Sequence, residues 1–305
     1  MYDIAIIGGG PAALTAGIYA TRAGRRTVIF EKAFTGGQAA KAFEIDNYPG
    51  FGMISGVELS MKMTDHAAQC GCNIAYEEAV GLDLTGENKT ICTTGGEYAA
   101  KCVILAMGAS PKTLGFEHPY VGSGVSYCAT CDGAFFRGKT AAVIGGGNTA
   151  VADALYLAKI CEKVYLIHRR GILRADKSLQ TALLENEKAE ILWNCIPKEI
   201  IGEGKVEAIV TEEIGSESTR QLATDAVFIA VGQTPQTELI RNTVSCDENG
   251  YIITDGHMRT SIDGVFAAGD LRVTPLRQVI TAAADGAIAA TAASEYLNSA
   301  KHRAQ

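Results

Sequence analysis

A unit of apolar strand, glycine cluster and helical pattern occurs twice in this 305-residue chain, and it limits the possible folds more than any other feature. The first copy begins at residues 3–10, Asp-Ile-Ala-Ile-Ile-Gly-Gly-Gly, and the second at residues 141–147, Ala-Ala-Val-Ile-Gly-Gly-Gly. The helical patterns that follow run to about Arg22 and about Ile160. Since a strand, a helix and a further strand follow one another in both copies, the repeat predicts an α/β fold with two Rossmann-like dinucleotide-binding domains of three layers (ββα).

The order of the remaining strands predicts how the two domains are connected. Each copy has a later strand that ends in glycine, at 103–108 in the first and 227–232 in the second. A buried strand at 264–270 and an alanine-rich helix at 279–297 come after the second copy is complete. We therefore expect these C-terminal elements to join the first copy, so that the second domain is inserted into the first.

Turn residues predict where the chain crosses between the domains. Pro111, Gly115 and Pro119 mark a first crossing near 111–117, and the turn residues at 247–250 mark a second near 243–250. The prediction is a first domain of residues 1–114 and 247–305 and a second of residues 115–246.

The first glycine cluster fits the G-x-G-x-x-G/A pattern of a dinucleotide loop. Gly8 permits the tight turn, Gly10 lets backbone amides approach a pyrophosphate, and Ala13 allows close packing of helix on strand. Glu31 ends the next strand, where a carboxylate accepts hydrogen bonds from ribose hydroxyls that carry no 2′-phosphate. We expect the adenosine half of FAD or NAD at this loop.

The second cluster repeats the pattern with Gly145, Gly147, Asn148, Thr149 and Ala150. Its following strand ends in a basic run, His168-Arg169-Arg170, with Arg174 just beyond. Guanidinium groups at that strand end suit the 2′-phosphate of NADPH, although basic runs are more often solvated surface. We expect this site to prefer NADPH over NADH.

One cysteine pair stands apart from the others. Cys128-Ala-Thr-Cys131 lies just before the second dinucleotide strand, and a C-x-x-C spacing closes a small redox disulfide. Zinc would need two further ligands at matching spacing, which the sequence lacks, so no metal site is predicted. Asp132 follows directly, where a shielded carboxyl group can protonate a departing thiolate; its alternative role is that of an exposed turn residue.

The other seven of the nine cysteines are read as small apolar residues or incidental thiols: 70, 72, 92, 102, 161, 195 and 246. A net charge of −7 argues against nucleic acid or an anionic membrane as a partner. The N-terminal apolar run is cut short by three glycines and lacks the basic start of a signal peptide, so a cytoplasmic location is expected.

Taken together, these motifs resemble the low-molecular-weight thioredoxin reductase family along almost the whole chain. Further residues carry the likeness: Gly36-Gly37-Gln38, Asn47-Tyr48-Pro49-Gly50, Gly269-Asp270 and Arg277-Gln278. The resemblance implies a homodimer that binds FAD and passes electrons from NADPH to thioredoxin or a glutaredoxin-like protein. Cys131 would face the flavin and Cys128 would attack the partner disulfide, with a large rotation of the NADPH domain between the two steps. The implied FAD-binding set is Gly8, Gly10, Ala13, Glu31, Gly37, Gln38, Asn47, Gly269, Asp270, Arg277, Gln278 and Val279.

Several positions depart from the family pattern. Ala13 replaces a frequent glycine and Met107 a frequent threonine, whereas Ser123 stands where a basic residue is common on the partner-facing edge. The motifs therefore indicate the chemistry and leave the choice of redox partner open. A dithiol oxidase or a ferredoxin-fed reductase is disfavoured by Arg169, Arg170 and Arg174, and a nucleotide-sensing scaffold without turnover is disfavoured by the intact redox motif.

Overall fold

The computed structural model describes residues 1–42, 44–216 and 218–303, and the chain divides into two compact units. Unit 1 comprises residues 1–110 and 234–305, and unit 2 comprises residues 111–233. The predicted insertion of one domain into the other is confirmed. No helix in the described ranges is long and apolar enough to cross a lipid bilayer.

The strands and helices follow the repeat predicted from the sequence. The first segment of unit 1 contains β1 (Tyr2–Ile7), α1 (Pro11–Arg22), β2 (Thr27–Phe30), α2 (Gly56–Gln69), β3 (Asn73–Ala75), β4 (Ala79–Asp83), β5 (Lys89–Thr93) and β6 (Gly96–Leu105), and β7 (Ala109–Pro111) extends across its end at residue 110. Unit 2 contains β8 (Val125–Ser126), α3 (Ala129–Asp132), β9 (Thr140–Gly145), α4 (Asn148–Ile160), β10 (Lys163–His168), α5 (Lys177–Leu184), β11 (Ala189–Trp193), β12 (Cys195–Ile201), β13 (Ala208–Glu213), β14 (Thr219–Ala223) and β15 (Ala226–Ala230). β16 (Gln233–Pro235) extends across the second boundary, and the return segment of unit 1 then contains β17 (Val265–Ala267) and α6 (Val279–Arg303).

A seven-stranded sheet forms the centre of unit 1, in the order β3-β2-β1-β6-β5-β4, and β17 also pairs with β6. β1 runs parallel to β2 and β6, with Ile6 paired to Ile29 and Ile104. β17 runs parallel to β6, whereas β5 pairs with β6 antiparallel. The carboxyl ends of β1, β2, β6 and β17 therefore meet at one edge, where a doubly wound sheet binds its ligands.

Unit 2 has a five-stranded parallel sheet in the order β11-β10-β9-β15-β8 and a separate three-stranded antiparallel sheet of β12, β13 and β14. Buried side chains of α4, including Val151, Ala154 and Leu157, cover one face of the parallel sheet. The antiparallel sheet contributes Ile209 and Leu222 to a core with the other face. This arrangement is the three-layer domain that the sequence predicts.

The second predicted crossing is wrong. The boundary lies between residues 233 and 234, so residues 234–246 belong to unit 1, where Ile240 and Val244 are buried in the core. The turn residues near 250 form a local turn within unit 1, in which the amide of Gly250 donates to the carbonyl of Asp247 at 3.0 Å. Turn-forming residues identify a change of direction, and it is the packing of the neighbouring apolar residues that identifies the domain.

Close packing of α6 on α1 fixes the C-terminal helix to unit 1. An ideal Cβ built on Gly286 of α6 would overlap the carbonyl oxygen of Ala12 and lie 3.1 Å from the amide nitrogen of Ala16. Ala289, Ala290 and the neighbouring alanines of α6 are buried in the same core. The small residues of α6 therefore let the two helix backbones approach each other.

We expect Gly286→Ala to lower the free energy of unfolding by about 1–3 kcal/mol, because the added methyl group meets helix backbone that cannot move aside. Urea denaturation measures the change. Gly256→Ala is the matched control, since its Cβ meets no described atom within 4 Å. Equal stability of the two variants would contradict the close approach.

Candidate functional site

The loop between β1 and α1 is built around two glycines that act differently. Gly8 has a φ of +102°, and a Cβ there would lie 2.5 Å from the carbonyl oxygen of Ala106 in the neighbouring chain segment. At Gly10, the N-cap of α1, a Cβ would meet no described atom within 4 Å. Gly8 is therefore required by packing, whereas the open space at Gly10 leaves the amides at the start of α1 accessible to an anionic ligand.

Glu31 and Gly37 complete the first loop. The Glu31 carboxylate accepts hydrogen bonds from the amide of Gly9 at 2.7 Å and from that of Ala33 at 3.0 Å. Gly37 lies against the loop, since its Cβ would be 3.3 Å from the Cα of Gly10. The half-buried carboxylate is thus fixed beside the glycine loop, in a position to accept from a ribose hydroxyl.

Gly269 and Asp270 follow β17 and reach the same edge of the sheet. Gly269 has a φ of +82°, and its Cβ would lie 3.0 Å from the Cβ of Ala12 in α1. Burial raises the pKa of Asp270 to about 6, while the nearby Arg277 opposes and Asp285 adds to this shift. No described residue donates a hydrogen bond to the Asp270 side chain, so this carboxyl group is available to a ligand that supplies hydroxyl donors.

A buried ion pair holds that segment in place. Asp285 of α6 receives two hydrogen bonds from Arg272, at 2.6 Å and 2.8 Å, and one from the amide of Gly269 at 3.1 Å. The two side chains are only 15% and 9% exposed. Asp285 thereby positions Gly269 and Asp270 through their backbone.

Most of the remaining predicted residues of unit 1 lie where α6 begins. The Asn47 side-chain amide donates to the Gln278 side chain at 3.1 Å, which links the loop before α2 to the start of α6 at Val279. Arg277 stacks on Tyr251, with its guanidinium carbon 4.2 Å from the ring centroid, and its Nε donates to the carbonyl of Asp270 at 3.4 Å. Gln38 is the exposed residue that precedes the short helical turn Ala39–Lys41.

Unit 2 repeats the loop construction at the start of α4. A Cβ on Gly145 would lie 2.5 Å from the carbonyl oxygen of Ala230 and 2.7 Å from the Cβ of Ala150. Gly147 is the N-cap of α4, and its Cβ would meet no described atom within 4 Å. Thr149 is exposed at the open end of the helix. The second loop therefore offers accessible helix-start amides, as the first does.

The end of β10 differs from the end of β2 in both charge and burial. His168 is buried beneath Gly146, and its Nε2 lies 3.0 Å from the carbonyl oxygen of Ile172. Arg169, Arg170 and Arg174 are all exposed. The histidine thus supports the turn, and the three guanidinium groups are presented to solvent at the strand end where the fold binds a ribose.

The cysteine pair is brought together by α3. Cys128 and Cys131 form a disulfide with their Cα atoms 5.3 Å apart, and Cys128 is the N-cap of α3. The carbonyl of Cys128 accepts from the amides of Cys131 and Asp132 at 3.2 Å and 3.1 Å. The predicted redox disulfide is therefore compatible with the backbone that carries it.

Ser126 connects Asp132 to the cysteine pair, and sequence reasoning missed it. Its buried hydroxyl donates to the Asp132 carboxylate at 2.5 Å and accepts from the amide of Cys128 at 3.0 Å. Asp132 is half-buried rather than an exposed turn residue. The hydroxyl thus links the Asp132 carboxylate to the backbone of Cys128.

A second missed group supports the strand that leads to Cys128. Glu117 is fully buried, and its Oε1 accepts from the Tyr127 hydroxyl at 2.9 Å and from the amide of Leu114 at 2.8 Å. Burial and the Glu117 carboxylate together raise the pKa of Tyr127 to about 12. The bond between Glu117 and Tyr127 therefore fixes the residue just before the disulfide. In the sequence, the only sign of this contact is that Glu117 is an acidic residue in a mainly apolar stretch.

The other seven cysteines are free thiols. Burial raises the pKa of Cys72 and of Cys102 to about 12, and it also raises the pKa values of Cys161, Cys195 and Cys246. A raised pKa suppresses the reactive thiolate. Among the described residues, no group of three or more His, Cys, Asp or Glu side chains is arranged to hold a metal ion.

Comparison with known proteins identifies relatives along nearly the whole chain. Residues 2–286 match the family described as pyridine nucleotide-disulphide oxidoreductase. The chain is 44% identical over 306 residues to a thioredoxin reductase of Peptoclostridium acidaminophilum, which covers 97% of each protein. It is 43% identical over 300 residues to that of Bacillus subtilis strain 168, with 97% of this chain and 95% of the relative covered. The crystal structure of thioredoxin reductase from Streptococcus pyogenes MGAS5005 matches with a TM-score of 0.92 at 43% identity, covering 98% of this chain and 99% of that one. The resemblance predicted from the motifs is confirmed.

We expect Asp285→Ala to lower the free energy of unfolding by about 3–5 kcal/mol, because the change leaves Arg272 as an unpaired buried charge. Chemical denaturation measures the change in the free energy of unfolding. Glu58→Gln is the control, because it breaks the exposed Glu58–Lys62 ion pair, whose charged atoms are 3.3 Å apart. This change should lower the free energy of unfolding by less than about 0.5 kcal/mol. A loss of similar size in both variants would show that burial does not strengthen the Asp285 pair.

Proposed function

We propose, from the premise that this chain belongs to the pyridine nucleotide-disulphide oxidoreductase family, that it is an NADPH-dependent flavoprotein that reduces the disulfide of thioredoxin or of a thioredoxin- or glutaredoxin-like protein. The observation that carries the proposal is the Cys128–Cys131 disulfide, with Asp132 beside it, in a chain that has two dinucleotide loops. Unit 1 is proposed as the FAD-binding domain and unit 2 as the NADPH-binding domain.

The donor set of each unit supports that assignment. Glu31 presents a carboxylate where FAD has ribose hydroxyls, and a carboxylate there would repel a 2′-phosphate. Unit 2 has buried His168 and exposed Arg169, Arg170 and Arg174 in the corresponding place. Guanidinium forks match the 2′-phosphate of NADPH, which NADH lacks.

The residues proposed to hold FAD share one edge of unit 1. The amides at the start of α1 would bind the pyrophosphate, and Asp270 would accept from hydroxyl groups of the cofactor. Asn47 and Gln278, already joined by a hydrogen bond, would contact the flavin portion. When bound, FAD supplies the two-electron carrier that accepts hydride from NADPH and can reduce a disulfide.

The cysteine pair would carry the electrons onward. The Cys128–Cys131 disulfide takes up two electrons and two protons and becomes a dithiol. The Cys128 thiolate then attacks the partner disulfide, which forms a mixed disulfide and releases one partner thiol. Attack by Cys131 releases the second partner thiol and restores the Cys128–Cys131 bond. Two electrons and two protons have then passed to the partner.

Asp132 is proposed as the proton donor of these steps. Ser126 bonds to both the Asp132 carboxyl group and the Cys128 backbone amide, which supports this role. A carboxyl group held near a departing thiolate can deliver a proton to it directly.

The biological setting is proposed from the same relatives and from the thiols. Seven free cysteines suit a reducing cytoplasm, where disulfides are rare outside redox sites. Exposed Phe34, Val57, Met61 and Tyr76 line one depression on unit 1, and an apolar surface of this kind supports a homodimer. No membrane or nucleic-acid partner is proposed.

The runner-up functions use the same cysteines with a different electron source. A dithiol oxidase or a ferredoxin-dependent reductase has no use for a 2′-phosphate site, and the three exposed arginines at the end of β10 disfavour both. Electron donors therefore discriminate between the candidates.

We expect the purified yellow protein to oxidise NADPH only when a thioredoxin disulfide or DTNB is present. Absorbance at 340 nm measures the consumption of NADPH. The colour that DTNB develops measures the thiols that are formed. Serine at both cysteine positions should abolish thioredoxin reduction and leave bound flavin unchanged. Cys131→Ser alone should accumulate a mixed disulfide on Cys128, visible on a non-reducing gel. Acceptor reduction by the double variant, or a protein that cannot bind flavin, would refute the proposal.

We expect Asp132→Asn to slow thioredoxin reduction by about 10²–10⁴-fold, the usual contribution of a positioned acid. Flavin content and thermal midpoint should match the wild type. Glu203→Gln, which removes the charge of an exposed carboxylate elsewhere in unit 2, is the control and should keep most activity. Unaltered turnover in Asp132→Asn would assign the proton to another donor.

A further inference from the structure

Asp176 occupies the N-cap of α5, yet its carboxylate does not cap that helix. The side chain instead accepts a hydrogen bond at 2.9 Å from the Asn148 side-chain amide, and the Asp176 backbone amide donates to the Asn148 side-chain oxygen at 2.7 Å. An aspartate at this position usually binds the amides of its own first turn. Here it joins the start of α5 to the start of α4.

Asn148 is the first residue of α4, directly after Gly147 of the second dinucleotide loop. Both polar atoms of its side chain are engaged by Asp176. The sequence predicts Asn148 as a direct NADPH ligand, but these two bonds give its side chain a structural partner instead.

Asp176 directly follows a segment that we call the arginine loop and define as residues 169–175, between the end of β10 and the start of α5. Its Arg174 amide donates to the carbonyl of Gly146 at 2.8 Å, so the loop is bonded directly to the dinucleotide loop. Gln180 of α5 donates to the carbonyl of Ala175 at 2.6 Å. Leu173 and Ala175 are buried in the core, and Arg174 between them is exposed.

We infer that Asp176 and Asn148 are positioning residues that determine the specificity for NADPH. Neither is expected to touch the 2′-phosphate. Together they fix the arginine loop against the dinucleotide loop, which keeps the distance between the guanidinium groups and the amides at the start of α4 constant. The inference rests on the proposed function, because it presumes that the arginine loop binds a 2′-phosphate.

Because Asp176 is an acidic residue, removing its side chain should change phosphate affinity in opposite directions for a positioning role and for an electrostatic role. A carboxylate two residues from Arg174 repels a phosphate bound there, so a purely electrostatic role predicts that its removal strengthens binding. A positioning role predicts the opposite, because a loosened loop must be ordered again each time the phosphate binds. The two roles cannot give the same result.

The test is Asp176→Ala in the flavin-loaded protein. We expect the KM for NADPH to rise about tenfold while kcat and the KM for NADH stay within about twofold. Calorimetry without turnover should show the same split: about tenfold weaker binding of 2′,5′-ADP, and little change for 5′-AMP, which lacks the 2′-phosphate. Asn148→Ala removes the same contacts from the other helix and should weaken 2′,5′-ADP binding similarly.

Three further variants separate position from charge. Asp176→Asn removes the charge but keeps an oxygen that accepts from Asn148, so 2′,5′-ADP binding should be at least as tight as in the wild type. Glu185→Ala removes an exposed carboxylate at the other end of α5 and should change neither ligand. Arg174→Ala shows how much affinity for 2′,5′-ADP is lost when a group proposed to contact the phosphate directly is removed.

Tighter or unchanged 2′,5′-ADP binding by Asp176→Ala would overturn the inference. Equal weakening of 2′,5′-ADP and 5′-AMP would also overturn it, since that result indicates general damage to the domain. Failure of the proposed donor is recognised separately: wild-type protein that binds 2′,5′-ADP no better than 5′-AMP overturns the NADPH assignment and this inference with it.

Discussion

Both units depend on the close approach of a glycine at the end of a central strand to the carbonyl group of a neighbouring chain segment. A Cβ on Gly8 would lie 2.5 Å from the carbonyl oxygen of Ala106, and one on Gly145 would lie 2.5 Å from that of Ala230. Any side chain would push the glycine loop away from the end of the neighbouring strand. Because glycine permits the approach, the first turns of α1 and α4 begin at the carboxyl edge of their sheets, where their amides face open space.

The two units use the same construction but differ in the charged groups at the end of the strand that follows the helix. In both, the residue that ends the second strand packs on the middle glycine: Glu31 on Gly9 and His168 on Gly146. Glu31 accepts a hydrogen bond from a loop amide, so its carboxylate lies at the site. His168 is buried and bonds to the chain a few residues ahead, so the charge at that edge comes from the arginines that follow. The same fold thus presents a carboxylate at this edge in one unit and guanidinium groups in the other.

Supporting contacts make these edges precise. Asp285 fixes Gly269 from α6, and Ser126 fixes Asp132 beside the cysteines. Each supporting residue is distant in sequence or lacks a motif of its own. The groups proposed for catalysis and binding are recognisable from their chemistry, whereas the groups that orient them are recognisable only from their hydrogen bonds.

The sequence alone determined the α/β class, the duplication, the insertion of one domain into the other and the redox pair, because strand–glycine–helix spacing and C-x-x-C spacing are local constraints. It also placed α1 and α4 correctly, since each begins at its glycine cluster and ends where the apolar pattern ends. Only the tertiary structure decided the second domain boundary, because the burial of Ile240 and Val244 in unit 1 depends on distant strands. The same holds for the Asn148 side chain: spacing assigns it to a ligand, but its hydrogen bonds go to Asp176, a partner that only folding brings within reach.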